Sequence, residues 1–316
     1  MTHFAYIVMS YKDPLMIRRM VGALRQASPN AEIVLRHDVR HLPLPDLTGV
    51  AQVWVRPAIT AIEWGHWSMV EAMLTELRWV RETLNVSNIV FISGQDYPTK
   101  SLERWEAEHS AWDATMVADL LRFKPRWLYR RGYDGTDDLT RYNYAWFGVP
   151  GTRTRSLQTG RTSVRVRATI FNNVRPAAYF RRLPHGRGDL IGLRRCRSLW
   201  SSSFQCYKGW PWLALSIRAA DAVLQADKRL VRIYRRSLIP EESFFQTVLL
   251  NDPDMRVNKQ PLSFTHWSGQ VEHPRVLTEY DLNAVIASQL PFARKVETGT
   301  SDLLLDGLDR RIDNMS

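Results

Sequence analysis

Apolar runs alternate with amphipathic segments through residues 1–110, and this alternation constrains the fold more than any other feature of the chain. Each apolar run predicts a strand, and apolar residues at helical spacing predict the helices between them. Strands that alternate with helices are typical of a parallel sheet of βαβ units in the α/β class. The predicted strands are Phe4–Ser10, Ile33–Leu35, Val53–Val55 and Ile89–Ile92, and the predicted helices are Leu15–Gln26 (after Pro14), Ser68–Leu84 and Leu102–His109.

Polar side chains follow several of these predicted strands. In open parallel sheets, ligands bind beyond the carboxyl ends of the strands. We therefore expect a binding site at this edge of the sheet. The residues that fall there are His37, Asp38, Arg56, Asp96 and Tyr97.

Residues 120–205 differ from the rest of the chain, because they contain seventeen arginines against four acids. We interpret this region as a partly irregular insertion that covers one side of a cleft. After it, the parallel architecture is predicted to resume with a strand at Trp212–Ser216 and a helix at Ala219–Leu230. A last strand is predicted at Phe264–Trp267, and a short amphipathic helix within Leu290–Asp313.

Ser237–Asn251 has the pattern of the start of a buried helix. Pro240 suits the first helical position, since its missing N–H would have no partner there. Glu241 and Glu242 follow in the first turn, where the helix dipole favours carboxylates. An apolar stripe at helical spacing comes next. Two interpretations remain open: the acids complement the dipole, or one of them faces a cleft as a general base.

The overall charge indicates the class of partner. The 316-residue chain carries 43 basic and 32 acidic side chains, a formal net charge of +11. Such a balance favours anionic partners such as nucleotide sugars, lipid-linked glycans or an anionic membrane surface. Basic residues with interleaved aromatic rings also suit nucleic acid, but the chain has no recognisable nucleic-acid motif. We expect no nucleic acid to bind.

The sequence lacks the motifs of several familiar binding and catalytic sites. The chain has no GxGxxG after its first strand, no P-loop and no GxSxG elbow. Asp-x-Asp, which could hold a divalent ion on a diphosphate, occurs only at residues 252–254, where it follows a helix and is predicted to be a loop. Without a metal, fixed cations must stabilise a departing diphosphate. Arg294 and Lys295 could supply them; alternatively, the pair begins an exposed helix.

Two observations concern the compartment. Cys196 and Cys206 are the only cysteines, and neither their spacing nor the histidines suggest a zinc site or a disulfide framework. No apolar run approaches the ~20 residues of a membrane-spanning helix, and the run at residues 4–9 is too short for a signal peptide. We expect a cytoplasmic protein, either free or peripheral at the inner face of the membrane.

Five segments, in order along the chain, resemble glycosyltransferase family 14, especially its bacterial members. This family contains the core-2/I-branching β-1,6-N-acetylglucosaminyltransferases and the peptide O-xylosyltransferases. Weaker similarity occurs at residues 208–216 and 265–275, and the arginine-rich middle does not match obviously. The five segments are AYIVMSYKDP (5–14), EWGHWSMVEA (63–72), FISGQDYPTKS (91–101), LIPEESFFQTVLLND (238–252) and PFARK (291–295).

The resemblance implies a single GT-A-like domain, an inverting mechanism and no metal. Glu242 corresponds to the family's catalytic base, and Arg294 and Lys295 correspond to its diphosphate-binding residues. Residues 1–115 would bind the nucleotide sugar, 120–205 would face the acceptor, and 206–316 would hold the base and the diphosphate. Further expected donor contacts are His37, Asp38, Trp64, Gly65, Asp96 and Tyr97, and the expected acceptor contacts are Trp210, Trp212 and Glu241.

The expected reaction is transfer of N-acetylglucosamine or xylose from a UDP-sugar to a hydroxyl of a glycan or a lipid-linked acceptor. The UDP-sugar is a co-substrate, and no further cofactor is expected. An alternative from another class is a protein that has lost catalysis and binds glycans or membranes through residues 120–205.

Overall fold

The computed structural model describes residues 3–50, 52–121, 137–150, 152, 177–183, 188–196, 200–267 and 274–314. Most of the predicted 120–205 insertion therefore lies outside the described residues, as does part of the 265–275 segment. Neither cysteine forms a disulfide, and Cys196 is exposed whereas Cys206 is buried.

Within these described residues, the structure contains a central sheet, three smaller sheets and helices on both faces of the central sheet. The strands are β1 (Phe4–Ser10), β2 (Glu32–His37), β3 (Val53–Pro57), β4 (Asn88–Ser93), β5 (Asp96–Pro98), β6 (Ala114–Thr115), β7 (Ala118–Leu120), β8 (Tyr144–Gly148), β9 (Ala178–Leu183), β10 (Gly188–Arg194), β11 (Tyr207–Gly209), β12 (Ala214–Ser216), β13 (Val257–Asn258), β14 (Ser263–Thr265) and β15 (Phe292–Arg294). The helices are α1 (Pro14–Ala27), α2 (Trp67–Thr83), α3 (Glu103–His109), α4 (Asp137–Asn143), α5 (Ile217–Leu224), α6 (Lys228–Tyr234), α7 (Phe244–Leu250), α8 (Leu282–Ser288) and α9 (Asp302–Asp313), with 3₁₀ turns at Pro240–Glu242 and Glu279–Asp281.

The central sheet has the strand order β13-β6-β12-β4-β1-β2-β3. β1 pairs in parallel with β2 and with β4, and β2 pairs in parallel with β3. The mostly parallel α/β sheet predicted from the sequence is therefore confirmed. β12 is an exception, because it pairs antiparallel with both β4 and β6. The prediction that the parallel architecture resumes at Trp212–Ser216 is wrong, since a strand this short has no periodicity that indicates its direction.

Alternate residues of β1 face opposite sides of the sheet, and both sides are buried. Phe4, Tyr6 and Val8 belong to a core cluster that includes apolar residues of α1 and α9. Ala5 and Ile7 belong to a second cluster that includes apolar residues of α2, α5 and α7. The loss of water contact on both faces explains why this strand is an uninterrupted apolar run in the sequence.

Three other predicted elements differ from the structure. The helix predicted at Ala219–Leu230 is two helices, α5 and α6, and the Asp227 side chain caps the second by accepting from the Arg229 backbone N–H at 2.7 Å. The helix predicted to start at Pro240 begins as a 3₁₀ turn, because Ser243 departs from helical geometry before α7. The strand predicted at Phe264–Trp267 is β14, which begins one residue and ends two residues earlier than predicted, and it is not the last strand, because β15 follows it.

Two of the smaller sheets concern the site. β14, β15 and β5 form one of them, with Arg294 opposite Asp96. The alternative that Arg294 begins an exposed helix is therefore wrong, because it ends strand β15. β8, β10 and β9 form an antiparallel sheet within the region predicted to be partly irregular.

Candidate active site

The carboxyl ends of β1 and β4 form the topological switch point of the central sheet. From β1 the chain proceeds outward to β2 and β3, and it then returns to the other side of β1 as β4. The backbone N–H of Gly94, just after β4, donates to the Met9 carbonyl at 3.0 Å. A Cβ atom on Gly94 would lie 2.8 Å from the Cβ of Ser10, so glycine permits this close approach. Crevices at such switch points are the usual ligand sites of open α/β sheets.

Arg294 lies at this crevice and is held by a buried carboxylate. Its Nη1 donates to Asp96 Oδ2 at 2.9 Å and also to the Ser93 hydroxyl. Asp96 is fully buried, and it accepts further hydrogen bonds from the Ser93 backbone and the Ser263 hydroxyl, each at 2.7 Å. The guanidinium carbon of Arg294 lies 4.8 Å from the ring centroid of Trp212. The guanidinium is thus held by Ser93 of β4, Asp96 of β5 and the Trp212 ring.

Lys295 places a second positive charge beside Arg294. Burial lowers the pKa of Lys295, and the neighbouring charges of Arg294 and Lys12 lower it further. Lys12, in the loop after β1, donates to Glu297 Oε1 at 2.6 Å, and Gln95 donates to the same oxygen at 2.9 Å. Three cations and the carboxylates of Asp96 and Glu297 are therefore grouped at one edge of the sheet, and the excess of positive charge favours the binding of an anion.

Glu242 lies in the 3₁₀ turn and its carboxylate contacts two other cations. Its Oε2 accepts from Arg141 Nη1 at 2.8 Å and lies 3.8 Å from Lys208 Nζ. The Glu242 side chain is 31% exposed. Glu241 is buried, so the two consecutive acids differ in their access to solvent. Of the two, Glu242 has the accessibility that a general base needs, and direct acceptor contact through Glu241 is not supported by its position.

The backbone around Glu242 is fixed in an unusual conformation. Ile239 has φ 47° and ψ 54°, a left-handed conformation that is rare for a β-branched residue. Its N–H donates to the Gly65 carbonyl at 3.0 Å, and its carbonyl accepts from the Tyr142 hydroxyl at 3.1 Å. Gly65 has φ 63°, and Trp64 packs in the same apolar cluster as Ile239. Trp64 and Gly65, predicted to lie near the donor, are thus beside the Glu242 turn.

The segment 207–212 connects the two groups of cations. Lys208 lies near Glu242, whereas Trp212 lies against Arg294. Between them, the Trp210 carbonyl accepts from Gln246 Nε2 of α7 at 2.7 Å. A Cβ atom on Gly209 would lie 1.7 Å from the Val117 carbonyl oxygen, so this strand can run where it does only with glycine. Trp212, predicted to contact the acceptor, is on the Arg294 side.

Three residues that were predicted to contact the donor have side chains that are buried and hydrogen-bonded within the protein. His37 is buried, with Nδ1 2.9 Å from the Ser10 hydroxyl and Nε2 3.0 Å from the Leu42 carbonyl. Since a carbonyl only accepts, Nε2 carries the proton. Asp38 is buried against Arg40, whose hydrogen bonds lower the pKa of Asp38. Tyr97 is buried in the core and its hydroxyl donates to Asp309 of α9. Direct donor contact by these side chains is not supported by their positions.

Several residues that take part in these contacts were not predicted from the sequence: Arg141, Lys208, Lys12, Ser93 and Ser263. Arg141 is one arginine among many in its region, and nothing in its spacing distinguishes it. Lys12 lies within the AYIVMSYKDP segment, which is the one signal that could have found it.

Asp252 and Asp254 form a turn after α7, in which the Asp254 N–H donates to Asp252 Oδ1 at 3.0 Å. The prediction that this Asp-x-Asp sequence is a loop is confirmed. Within the described ranges, no group of three or more His, Cys, Asp or Glu side chains is placed to bind a metal ion. No helix in the described part of the chain combines the length and apolarity needed to cross a membrane.

Two solved structures have some similarity to this chain, each at 10% identity. One is a putative glucose-1-phosphate thymidylyltransferase from Bacillus anthracis in complex with a sucrose, with a TM-score of 0.32 over 72% of this chain and 77% of that one. The other is HddC from Yersinia pseudotuberculosis, with a TM-score of 0.24 over 38% of this chain and 60% of that one. These TM-scores are too low to support a conclusion.

Sequence comparisons are more informative. The β-glucuronosyltransferase GlcAT14A of Arabidopsis thaliana is 31% identical over 136 residues, which are 40% of this chain and 30% of that protein. The chain therefore matches less than a third of the relative's length. The model of the family described as "Branch: Core-2/I-Branching enzyme" matches residues 181–286, which include Glu242 and end before Arg294. The resemblance to glycosyltransferase family 14 is thus confirmed, through the Core-2/I-branching enzyme domain that residues 181–286 match.

Proposed function

We propose that this protein is an inverting, metal-independent glycosyltransferase with a GT-A-like fold. It would transfer N-acetylglucosamine or xylose from a UDP-sugar to a hydroxyl of a glycan or a lipid-linked acceptor. One observation carries the proposal: an accessible carboxylate, Glu242, and a fixed guanidinium, Arg294, lie at opposite ends of the short segment 207–212. An inverting displacement needs a base on one side of the sugar and positive charge beside the leaving group on the other.

On the donor side, Arg294 and Lys295 would bind the diphosphate of the UDP-sugar. A guanidinium held by Asp96 does not have to reorganise when the leaving UDP gains negative charge, which is the condition for effective electrostatic stabilisation. Lys12 lies close enough to affect the pKa of Lys295 and would add a third positive charge. The Trp212 ring against Arg294 supports a role for this tryptophan on the donor side.

On the acceptor side, Glu242 would act as the general base. The acceptor oxygen attacks the anomeric carbon as the bond between that carbon and the diphosphate oxygen breaks. The acceptor proton passes to the Glu242 carboxylate, and the bonding electron pair leaves with UDP. The attack comes from the face opposite the leaving group, so the configuration at the anomeric carbon inverts. Trp210 remains a proposed acceptor contact.

The proposal is tested by a UDP-release assay with EDTA present, using a panel of UDP-sugars that includes UDP-N-acetylglucosamine and UDP-xylose. The proteins compared are the wild type, Glu242→Gln and a matched control, Glu82→Gln, which alters an exposed glutamate of α2. Release by the wild type and the control, but not by Glu242→Gln, is the expected result. Near-normal release by Glu242→Gln would contradict the role of Glu242 and make Glu241 the next residue to test.

If the wild type releases UDP from none of the donors, a second measurement is needed, which is calorimetric titration with UDP. Binding of UDP without release would indicate a missing acceptor. Failure to bind UDP would contradict the transferase proposal and favour a protein that binds glycans or membranes without catalysis.

A further inference from the structure

The proposed base is already hydrogen-bonded to a cation. Glu242 Oε2 accepts from Arg141 Nη1 at 2.8 Å, and Lys208 Nζ lies 3.8 Å from the same oxygen. An oxygen that accepts a charge-assisted hydrogen bond from a guanidinium is poorly placed to take a proton from an incoming hydroxyl. A change of partner by Arg141 would therefore free Oε2 to take the acceptor proton.

The backbone of Arg141 is fixed, so a change of partner involves its side chain. The Arg141 carbonyl accepts from the Leu238 N–H at 3.2 Å, and the next residue, Tyr142, donates to the Ile239 carbonyl at 3.1 Å. These contacts join α4 to the Glu242 turn. The Arg141 side chain is 14% exposed, so it is mostly, but not completely, shielded from solvent.

A second guanidinium contacts the residue that precedes Arg141. Arg181 of β9 donates from Nη2 to the Thr140 hydroxyl at 2.9 Å, and Thr140 directly precedes Arg141. The Arg181 guanidinium carbon lies 5.6 Å from the ring centroids of both Trp146 and Tyr179. Trp146 and Tyr179 pack in the apolar cluster that includes Ile239, which directly precedes the Glu242 turn, so this arginine and these rings belong to the same part of the structure as the proposed base.

We infer that the acceptor is an acidic saccharide, whose carboxylate or phosphate takes the place of Glu242 as the partner of Arg141. This inference rests on the proposed function. The planar guanidinium binds carboxylate and phosphate groups through two parallel hydrogen bonds. If the acceptor anion replaces Glu242, the guanidinium keeps a counter-ion. The free-energy cost of leaving a buried charge unpaired is then avoided. A neutral acceptor offers no such exchange, and Arg141 then stays on Glu242.

Calorimetry tests whether Arg141 binds the anionic group of the acceptor, and this measurement does not require turnover. The probes are trisaccharides of galacturonic and glucuronic acid, their carboxyl-reduced neutral forms, and a phosphorylated trisaccharide, at ~0.15 M salt so that non-specific charge effects are screened. The wild type is expected to bind at least one charged form about tenfold or more tightly than its neutral counterpart, as one charge-assisted hydrogen bond predicts. Arg141→Gln abolishes the preference, and the group preferred by the wild type shows whether carboxylate or phosphate is the natural ligand.

The matched control is Arg104→Gln, which removes the same charge from a side chain of α3 that is 90% exposed. The control is expected to keep the preference. Equal binding of charged and neutral forms by the wild type, or equal loss of preference in both variants, overturns the inference. Arg181→Gln provides an independent variant if Arg141→Gln does not fold, and it is expected to reduce the preference as well.

Kinetics separates this role from simple positioning of Glu242. If Arg141 binds the acceptor anion, Arg141→Gln raises KM for acidic acceptors about tenfold or more and makes turnover of neutral acceptors faster, because Glu242 Oε2 is no longer held by the guanidinium. If Arg141 only positions Glu242, kcat falls equally for both classes, and the inference is wrong. Wild-type transfer to neutral acceptors alone contradicts the inference and leaves the transferase proposal intact. Charge-selective binding by a protein that neither releases UDP from any donor nor binds UDP contradicts the transferase proposal and leaves Arg141 in a binding site for acidic saccharides.

Discussion

Arg294 donates a hydrogen bond to the completely buried carboxylate of Asp96 across 2.9 Å, and this pair fixes a positive charge at the switch point of the sheet. Asp96 also accepts from Ser93 and Ser263, so its carboxylate is surrounded by donors. Asp96→Asn would direct an amide N–H₂ at those donors and leave Arg294 without its counter-ion. Removing one partner of a buried ion pair typically costs about 3 kcal/mol.

The free energy of unfolding of Asp96→Asn, measured in urea, is therefore expected to fall by about that amount. Affinity for UDP should fall with it, because Arg294 loses its orientation. Asp119→Asn, at an exposed position of β7, is the control and is expected to match the wild type in both measurements. A variant with wild-type stability and wild-type UDP affinity would mean that Asp96 does not position Arg294.

Substitution of Arg294 itself separates charge from geometry. Arg294→Lys keeps the charge but loses the planar fork that can contact Asp96 and a phosphate together. Arg294→Met loses both. We expect UDP affinity to fall about tenfold in Arg294→Lys and about a hundredfold in Arg294→Met, as one or two charge-assisted hydrogen bonds are lost. Equal affinities in the wild type and Arg294→Met, measured by calorimetry, would place the diphosphate elsewhere.

Metal removal tests the same site from another direction. If fixed cations stabilise the leaving UDP, dialysis against EDTA leaves both UDP affinity and the rate of UDP release unchanged. Addition of Mn²⁺ or Mg²⁺ to the dialysed protein should also leave the rate unchanged. A strict requirement for either ion would contradict the proposed role of Arg294 and Lys295, since a metal would then carry the charge.

The lowered pKa of Lys295 gives UDP binding a pH dependence. Burial and the charges of Arg294 and Lys12 lower this pKa, so the ammonium loses its proton at a lower pH than an ordinary lysine. Only the charged form attracts the diphosphate, and UDP affinity is therefore expected to fall as pH rises through the lowered pKa. Lys295→Arg should remove this fall, because an arginine stays protonated.

Lys12→Met tests directly whether the charge of Lys12 lowers the pKa of Lys295. It removes a positive neighbour, so the pKa of Lys295 rises and the loss of UDP affinity moves to higher pH, although the affinity at pH 7 decreases. Lys228→Met, an exposed change on α6, is the control and should change neither property. An unshifted pH profile in Lys12→Met would mean that the two lysines do not interact.

The sequence predicted those features that depend on local patterns. β1 and β4 were predictable because strands buried on both faces are apolar throughout. α1 was predictable from Pro14 and its apolar face. The antiparallel direction of β12 and the break between α5 and α6 were not, because each depends on a few residues whose pattern suits either outcome.

The contacts of the candidate site were less predictable, because they join distant parts of the chain. Arg141 and Glu242 are 101 residues apart in sequence, and Arg294 and Asp96 are 198 apart. The family resemblance drew attention to Glu242, Arg294 and Asp96 through their motifs. It could not indicate that Asp96 is buried beneath Arg294 rather than open to the donor, since burial depends on the packing of β5 and β15.

His109 links stability to pH. Its ring is buried, lies parallel to the Trp105 ring at 5.3 Å, and places Nδ1 2.8 Å from the Thr115 hydroxyl. Burial lowers the pKa of His109 to about 4, whereas an unfolded chain has about 6.5. Between these values the unfolded chain binds a proton that the folded protein does not. The folded state is therefore fully favoured above pH 6.5 and loses up to about 3 kcal/mol as pH falls from 6.5 towards 4.

His109→Phe is expected to remove much of this pH dependence, because phenylalanine keeps the ring contact with Trp105 and binds no proton. At pH 7.5 the variant should be about 1 kcal/mol less stable than the wild type, through loss of the Thr115 hydrogen bond. At pH 5 the difference should shrink or reverse, since only the wild type is then penalised by protonation of its unfolded state. Urea unfolding at both pH values measures this, with His41→Phe at an exposed position as the control. A constant difference at the two pH values would show that His109 does not contribute to the acid sensitivity of the fold.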